Sequence, residues 1–303
     1  MKQSLTSKIV TSVLCFVCHS KYEKSATRSN TLANKSNNKK SYFHPIGFRT
    51  ERVKCGECYL EKISPNKNVS KKVIFHIHGG SFKVKLTDFY RRESVYYSRL
   101  FNNATVYNVD YRVYPDVRFP IPLDDVYNCY LSVIKNENAN NIVVIGDSCG
   151  ANMAVSLCMK LRDNAKPLPS SVILFSFWGD LSNSGSSYKE NCHRDPFYGI
   201  PKRISYEDAK DKIHRITLYA HGEDLYNPYL SPCFGSFVDF PKTILVCGSA
   251  DLGQSDSFTA YEKLKSEGVE TYLFDYENMF HDFQMLKFLP ESRNVFKRIK
   301  KII

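Results

Sequence analysis

NIVVIGDSCGANMAV, residues 141–155, is the stretch on which the fold turns. Residues 141–146 form a β-branched, aliphatic run, the composition of a strand covered on both faces. The run ends at Gly146, and an apolar pattern with helical spacing starts at Ala151 and continues to Leu161. Ser148 therefore falls on a strand-to-helix turn, fenced by Gly146 and Gly150. Such a turn can hold a nucleophile on a strained backbone, yet G-x-S-x-G also occurs in ordinary connections. The choice between the two depends on what the other strand ends carry.

Outward from this stretch, strand and helix patterns alternate. Residues 51–63 read as a hairpin that turns at Cys55-Gly56-Glu57-Cys58, and 71–80 as a buried strand ending in glycines. Strands follow at 104–112, 170–177, 242–248 and 271–276. Helices are expected from Asp124, over 257–266 with Gly268 as the stop, and over 291–301. This alternation implies an α/β fold, a mostly parallel doubly wound sheet with helices on both faces. Residues 179–240 break the alternation with scattered aromatics and prolines around one amphipathic stretch, 205–215, and read as an insertion. Ligands of such sheets bind beyond the carboxyl ends of the strands.

Four of those ends carry chemistry. His78-Gly79-Gly80-Ser81-Phe82 offers unobstructed backbone N–H groups at Gly79 and Gly80, and Cys149 offers another at a helix N-terminus. Together they are candidates for an oxyanion hole. Asp251 follows strand 242–248 and His281 follows strand 271–276. A serine hydroxyl needs a base, which imidazole supplies near neutrality, and the imidazole needs a carboxylate to fix its tautomer. Ser148, Asp251 and His281 satisfy this in the order serine, acid, histidine. Asp256, Asp275 and Glu277 are rival acids, with Asp256 expected to cap a helix. His76 and His78 read as structural, and His193, His214 and His221 belong to the insertion.

These blocks resemble the hormone-sensitive-lipase-like branch of the α/β-hydrolases over about residues 51–290. HGGSF (78–82), VDYRVYPDVRFPIPLDD (109–125), GDSCGANMA (146–154) and the region from SADLGQSDS (249–257) to MFHDF (279–283) carry the resemblance. It implies an α/β-hydrolase fold, with a cap built from the N-terminus and the insertion. It also implies a Ser148–His281–Asp251 triad with Gly79, Gly80 and Cys149 as the oxyanion hole, and no metal or cofactor. The implied activity is hydrolysis of short- to medium-chain carboxylic esters. Arylamide deacetylation by the same triad, or a small-molecule receptor of the same fold, are the alternatives. The chain departs from the family pattern at Ser81, Cys149, Ala151, Gly253, Ser255 and Asp282. Asp282, where glycine is usual, puts a second carboxylate beside the histidine and is expected to raise its pKa.

The net charge of +11 does not point to nucleic acid. Residues 1–50 hold nine Lys/Arg against Glu23 alone, whereas the remainder is nearly balanced. The basicity belongs to an N-terminal arm, and the expected partner is a small-molecule ester, with a homodimer left open. Lys2, Lys8 and the apolar run Ile9–Cys18 fit either a signal peptide or an amphipathic helix presenting residues 9, 10, 13, 14 and 17, so cytoplasmic and secretory residence both stand. The run is too short to span a bilayer. Residues 20–41, rich in Ser, Asn and Lys, read as a loose linker. The two C-x-x-C pairs, Cys15/Cys18 and Cys55/Cys58, have half-site zinc spacing, but their settings read as packed thiols and a hairpin turn.

Overall fold

The computed structural model describes residues 1–20, 45–213 and 218–303. The linker reading of 20–41 and His214 thus fall almost wholly outside the described residues. Helix α1 (Leu5–Ser20) precedes the hairpin β1 (Phe48–Cys55) and β2 (Cys58–Pro65). Then come β3 (Val73–Ile77), α2 (Asp88–Leu100), β4 (Thr105–Asp110), α3 (Ile121–Val133), β5 (Ile142–Asp147), α4 (Cys149–Asp163) and β6 (Ser171–Phe175). After two short helices, α5 (Ser187–Glu190) and α6 (Tyr206–Ile213), the chain ends with β7 (Lys242–Gly248), α7 (Gln254–Ser266), β8 (Thr271–Tyr276) and α8 (Pro290–Ile302).

Among the described residues the strands form one eight-stranded sheet in the order β1-β2-β4-β3-β5-β6-β7-β8. The hairpin pairs antiparallel, β2 joins β4 antiparallel, and every later pairing is parallel. Alternate side chains feed two cores. Val73, Phe75, Ile142, Val144, Val172 and Leu174 pack under α3, α4 and α7. Ile74, Val143, Ile145, Ile173, Ile244 and Val246 pack under α2 and α8. Because both faces are covered, the central strands are continuously apolar, which is why they were legible as runs.

Helix α2 has no counterpart among the sequence expectations, and the reason is chemical. Its buried face includes Glu93, Ser94, Tyr97 and Ser98, so no apolar period marks it. Ser94 Oγ donates to Asn108 Oδ1 (2.6 Å) and Ser98 Oγ to the Ala104 carbonyl (2.6 Å). These bonds satisfy polar groups that burial would otherwise penalise. Helix α3 begins at Ile121 rather than near Asp124, with Pro122 in its first turn, where a missing N–H costs nothing. Helix α1 forms, but of the predicted face only Val10 and Leu14 pack against the core, while Ile9, Val13 and Val17 are exposed. The cysteine pairs lie in different settings: Cys58 Sγ is 3.5 Å from Cys129 Sγ, and Cys15 Sγ contacts the Arg194 carbonyl.

Candidate active site

The strand β5 delivers Ser148 directly onto the first turn of α4. Ser148 has φ 53° and ψ −122°, outside the regions open to L-residues without strain. Its N–H donates to the Phe175 carbonyl at the end of β6 (2.9 Å), and its carbonyl accepts from Ala151 and Asn152. The flanking glycines are set by close backbone approach. A Cβ on Gly146 would lie 2.4 Å from the Gly150 carbonyl oxygen, and one on Gly150 would lie 2.1 Å from the Ile77 carbonyl oxygen. The turn is therefore pressed between α4 and the end of β3. Cys149 opens α4, so its N–H belongs to the set at a helix N-terminus that lack an intrahelical acceptor. Its Sγ accepts from the Phe82 N–H (3.2 Å), and burial pushes the thiol pKa up to about 12, which keeps it neutral.

The loop after β3 stands over this turn. Gly80, Ser81 and Phe82 all have positive φ (111°, 54° and 58°). His78 stacks on Tyr111 at 4.3 Å, and Tyr111 Oη donates to the His78 carbonyl (2.7 Å). Burial pulls the His78 pKa down to about 4, so it is a neutral structural ring, as expected. The block around Tyr111 is clamped by Arg112, whose Nε and Nη2 donate to Asp125 at 2.9 and 2.8 Å. One expectation is corrected here. The Gly79 N–H donates to Asp147 Oδ2 (3.1 Å), which also accepts from Tyr90 Oη (3.0 Å), so Gly79 is not free to bind an oxyanion. Gly80 and Cys149 remain from the predicted set.

Asp251 and His281 meet at the ends of β7 and β8. His281 Nδ1 lies 3.0 Å from Asp251 Oδ1, which also accepts from the Gly253 N–H (2.9 Å). The loop bearing His281 is tied to β6 as well, because the Asp282 N–H donates to Ser176 Oγ (2.8 Å). Ser148 and His281 therefore hang from adjacent residues, Phe175 and Ser176. Among the described residues His281 Nε2 has no hydrogen-bond partner. Long or open hydrogen bonds of this kind are common before substrate arrives. Burial pulls the His281 pKa down, but the carboxylates of Asp251 and Asp282 overcome it and hold the imidazole well above its ordinary range. Asp251 is held below its usual value by His281 despite burial, whereas burial pushes Asp282 up to about 7.

The rival acids are placed elsewhere. Asp275 Oδ2 accepts from Gln254 (3.2 Å). Asp256 does not cap a helix; its Oδ2 accepts from the Gly179 and Asp180 N–H groups and from Tyr188 Oη, joining α7 to the inserted segment. Asn152 Nδ2 donates to the carbonyls of both Trp178 and Leu230 (2.9 Å each).

Sequence reasoning missed Asp195. It is fully buried, with Oδ1 accepting from the Phe197 and Tyr198 N–H groups and Oδ2 from that of Leu252, the residue after Asp251. Burial and the Asp251 charge push its pKa up to about 6. The available signal was Asp195-Pro196 itself, a turn-initiating pair inside the insertion. Tyr198, positioned by Asp195, packs edge-on against the His281 ring at 4.6 Å. Asp195, Asp251 and His281 bring metal-type donor atoms within 4.8 Å of one another. His281 Nδ1 and Asp251 Oδ1 are engaged with each other and both Asp195 oxygens accept from backbone N–H groups, so an ion taking these atoms would have to displace those bonds.

Comparison with known proteins agrees with this architecture. Residues 74–285 match the family described as alpha/beta hydrolase fold. An esterase of Acinetobacter venetianus is 28% identical over 235 residues, 73% of this chain and 71% of its own. An acetyl-hydrolase of Streptomyces hygroscopicus is 26% identical over 245 residues, covering 80% and 78%. The crystal structure of an esterase from the bacterial hormone-sensitive lipase family superposes with a TM-score of 0.76 at 22% identity, over 96% of both chains. The family match spans well over half of the sequence, and the chain belongs to the α/β-hydrolase fold family.

Proposed function

We propose that the chain hydrolyses carboxylic esters through an acyl-enzyme on Ser148. The observation that carries this reading is the 3.0 Å bond between His281 Nδ1 and Asp251 Oδ1, made beside a strained serine elbow. With Nδ1–H directed at Asp251, Nε2 holds the lone pair that takes the Ser148 proton. Ser148 Oγ attacks the acyl carbon, and the N–H groups of Gly80 and Cys149 stabilise the oxyanion. His281 then protonates the leaving alcohol, and water deacylates the serine through the same base. The relatives named esterase and acetyl-hydrolase support ester cleavage and a small acyl group.

The segment 179–240, with α1, serves in this reading as the cap of a hydrolase domain spanning 51–303. Phe82 stacks on Tyr219 at 3.9 Å and lies 6.0 Å from Trp178, an aromatic cluster beside the oxyanion loop that favours short to medium acyl chains. A rate profile over p-nitrophenyl esters from C2 to C16, with Ser148→Ala as control, tests the reading. Turnover should fall off with long chains and vanish in the variant, and a fluorophosphonate probe should label Ser148. Labelling of another residue, or full activity in Ser148→Ala, overturns it. The Asp282 carboxylate facing Nε2 favours a second reading, a slow member of the family that retains its ligand. Tight ester binding with turnover that rises in Asp282→Gly is its mark.

A further inference from the structure

Helix α1 carries apolar residues on two sides: Val10 and Leu14 pack against the core, and a second set faces outward. Its inward face is anchored by polar groups: Ser7, fully buried, donates to Glu291 Oε2 (2.5 Å), and Gln3 Nε2 donates to the Asn278 carbonyl (3.1 Å). On the opposite face Leu5, Ile9, Val13 and Phe16 follow one another at helical spacing and are 74%, 58%, 55% and 77% exposed. A surface helix normally turns such a stripe toward the core. A contiguous apolar stripe left in water marks a contact surface.

The surroundings of the stripe are cationic. Helix α1 and the four residues before it contain Lys2 and Lys8 and no acid. Alongside the stripe runs an open groove of about 640 Å³, whose lining includes Lys8, Phe16, His19, Arg194, Lys202 and Asn278. Among the described residues Lys8 and Lys202 have no carboxylate partner. Arg194 donates to the amide oxygens of Asn191 and Asn278.

We propose that α1 and this groove form a docking surface for an anionic lipid bilayer. The apolar stripe enters the interface, and Lys2, Lys8 and Lys202 meet the headgroup phosphates. No described helix is long and apolar enough to cross a membrane, so α1 lies in the plane of the surface. Charge selects this occupant over a second copy of the chain, since pairing α1 with itself would bring Lys2 and Lys8 against their like. The groove also reaches Ala250 and Asn278, which follow β7 and β8. The docking surface and the Asp251–His281 pair thus share the carboxyl end of the sheet.

Sedimentation of the full chain with vesicles tests the proposal without requiring any turnover, so its outcome is separate from that of the esterase reading. Binding is expected to 7:3 phosphatidylcholine:phosphatidylserine vesicles and to be at least about ten-fold weaker to phosphatidylcholine alone. The double variant Ile9→Asp/Phe16→Asp should lose about ten-fold or more, and Lys8→Glu/Lys202→Glu should lose the preference for phosphatidylserine. Ile9→Leu/Phe16→Trp should retain binding, and circular dichroism with a thermal melt checks that each variant is folded. Absence of vesicle binding by the wild-type chain, or unchanged binding by folded Ile9→Asp/Phe16→Asp, overturns the proposal. So does a concentration-dependent dimer that Phe16→Asp abolishes while vesicles leave the chain in solution.

Discussion

Asp282 Oδ2 stands 3.5 Å from His281 Nε2, so the imidazole is held between two carboxylates, with Asp251 on its other nitrogen. Both favour the protonated ring, and the base required for attack on an ester is the neutral one. The acid limb of the rate profile should therefore lie at higher pH than in a site with a single carboxylate. Asp282→Gly removes one of the two charges, lowers the His281 pKa and moves that limb toward lower pH. A kcat/KM profile from pH 5 to 10 reads the shift. An unmoved limb means that Asp282 does not control the base.

Ser148 bears backbone strain that the proposed nucleophile role would account for. Ser148→Gly should abolish turnover, by about 10⁴-fold or more, while relieving a conformation that costs an L-residue about 1–3 kcal/mol. The melting temperature should rise by about 2 °C or more, measured by calorimetry. A variant that melts lower than wild type contradicts the assignment of strain.

Gly150 leaves no room for a side chain, with Ile77 O at 2.1 Å and His78 O at 2.6 Å from a built Cβ. Both neighbours are backbone and cannot rotate away. Gly150→Ala is expected to lose about 3 kcal/mol or more of stability and much of its soluble yield. Denaturant titration against wild type measures it.

Asp195 has a folded pKa of about 6 against an ordinary value of 3.8. A carboxyl raised in this way favours folding most below about pH 4, and that contribution is lost as pH rises through 6. Asp195→Asn does not titrate. The stability of wild type relative to this variant should therefore fall by about 2 kcal/mol between pH 4 and pH 7. Urea melts of both proteins at the two pH values test the sign and the size.

The parallel strands and the elbow were legible because each has a local signature, a continuous apolar run or a pair of glycines demanded by close contact. Asp251 and His281 were legible because strand ends limit where chemistry can gather. Helix α2 was not, since its buried face is satisfied by hydrogen bonds of Ser94 and Ser98 to partners on and around β4, a pairing no periodicity records. Asp195 was hidden for a related reason. Its environment is set by the Leu252 N–H, which donates to it, and by the Asp251 charge, both more than fifty residues away in sequence. Gly79 was over-read because the competing carboxylate, Asp147, sits on a different strand.

Asn152 grips the carbonyls of Trp178 and Leu230 with one amide nitrogen, four residues along the helix from the serine. Both feet of the intervening segment are thereby fastened to the element that carries Ser148. The same segment also reaches the loop that bears Asp251, where the Leu252 N–H donates to Asp195 and the Asn191 amide donates to the Asp251 carbonyl. Whatever the segment selects is in this way coupled to what the sheet ends hold, and grafting a relative's segment between those two feet should keep the Asp251–His281 contact only where Asn191, Asp195 and Tyr198 are retained.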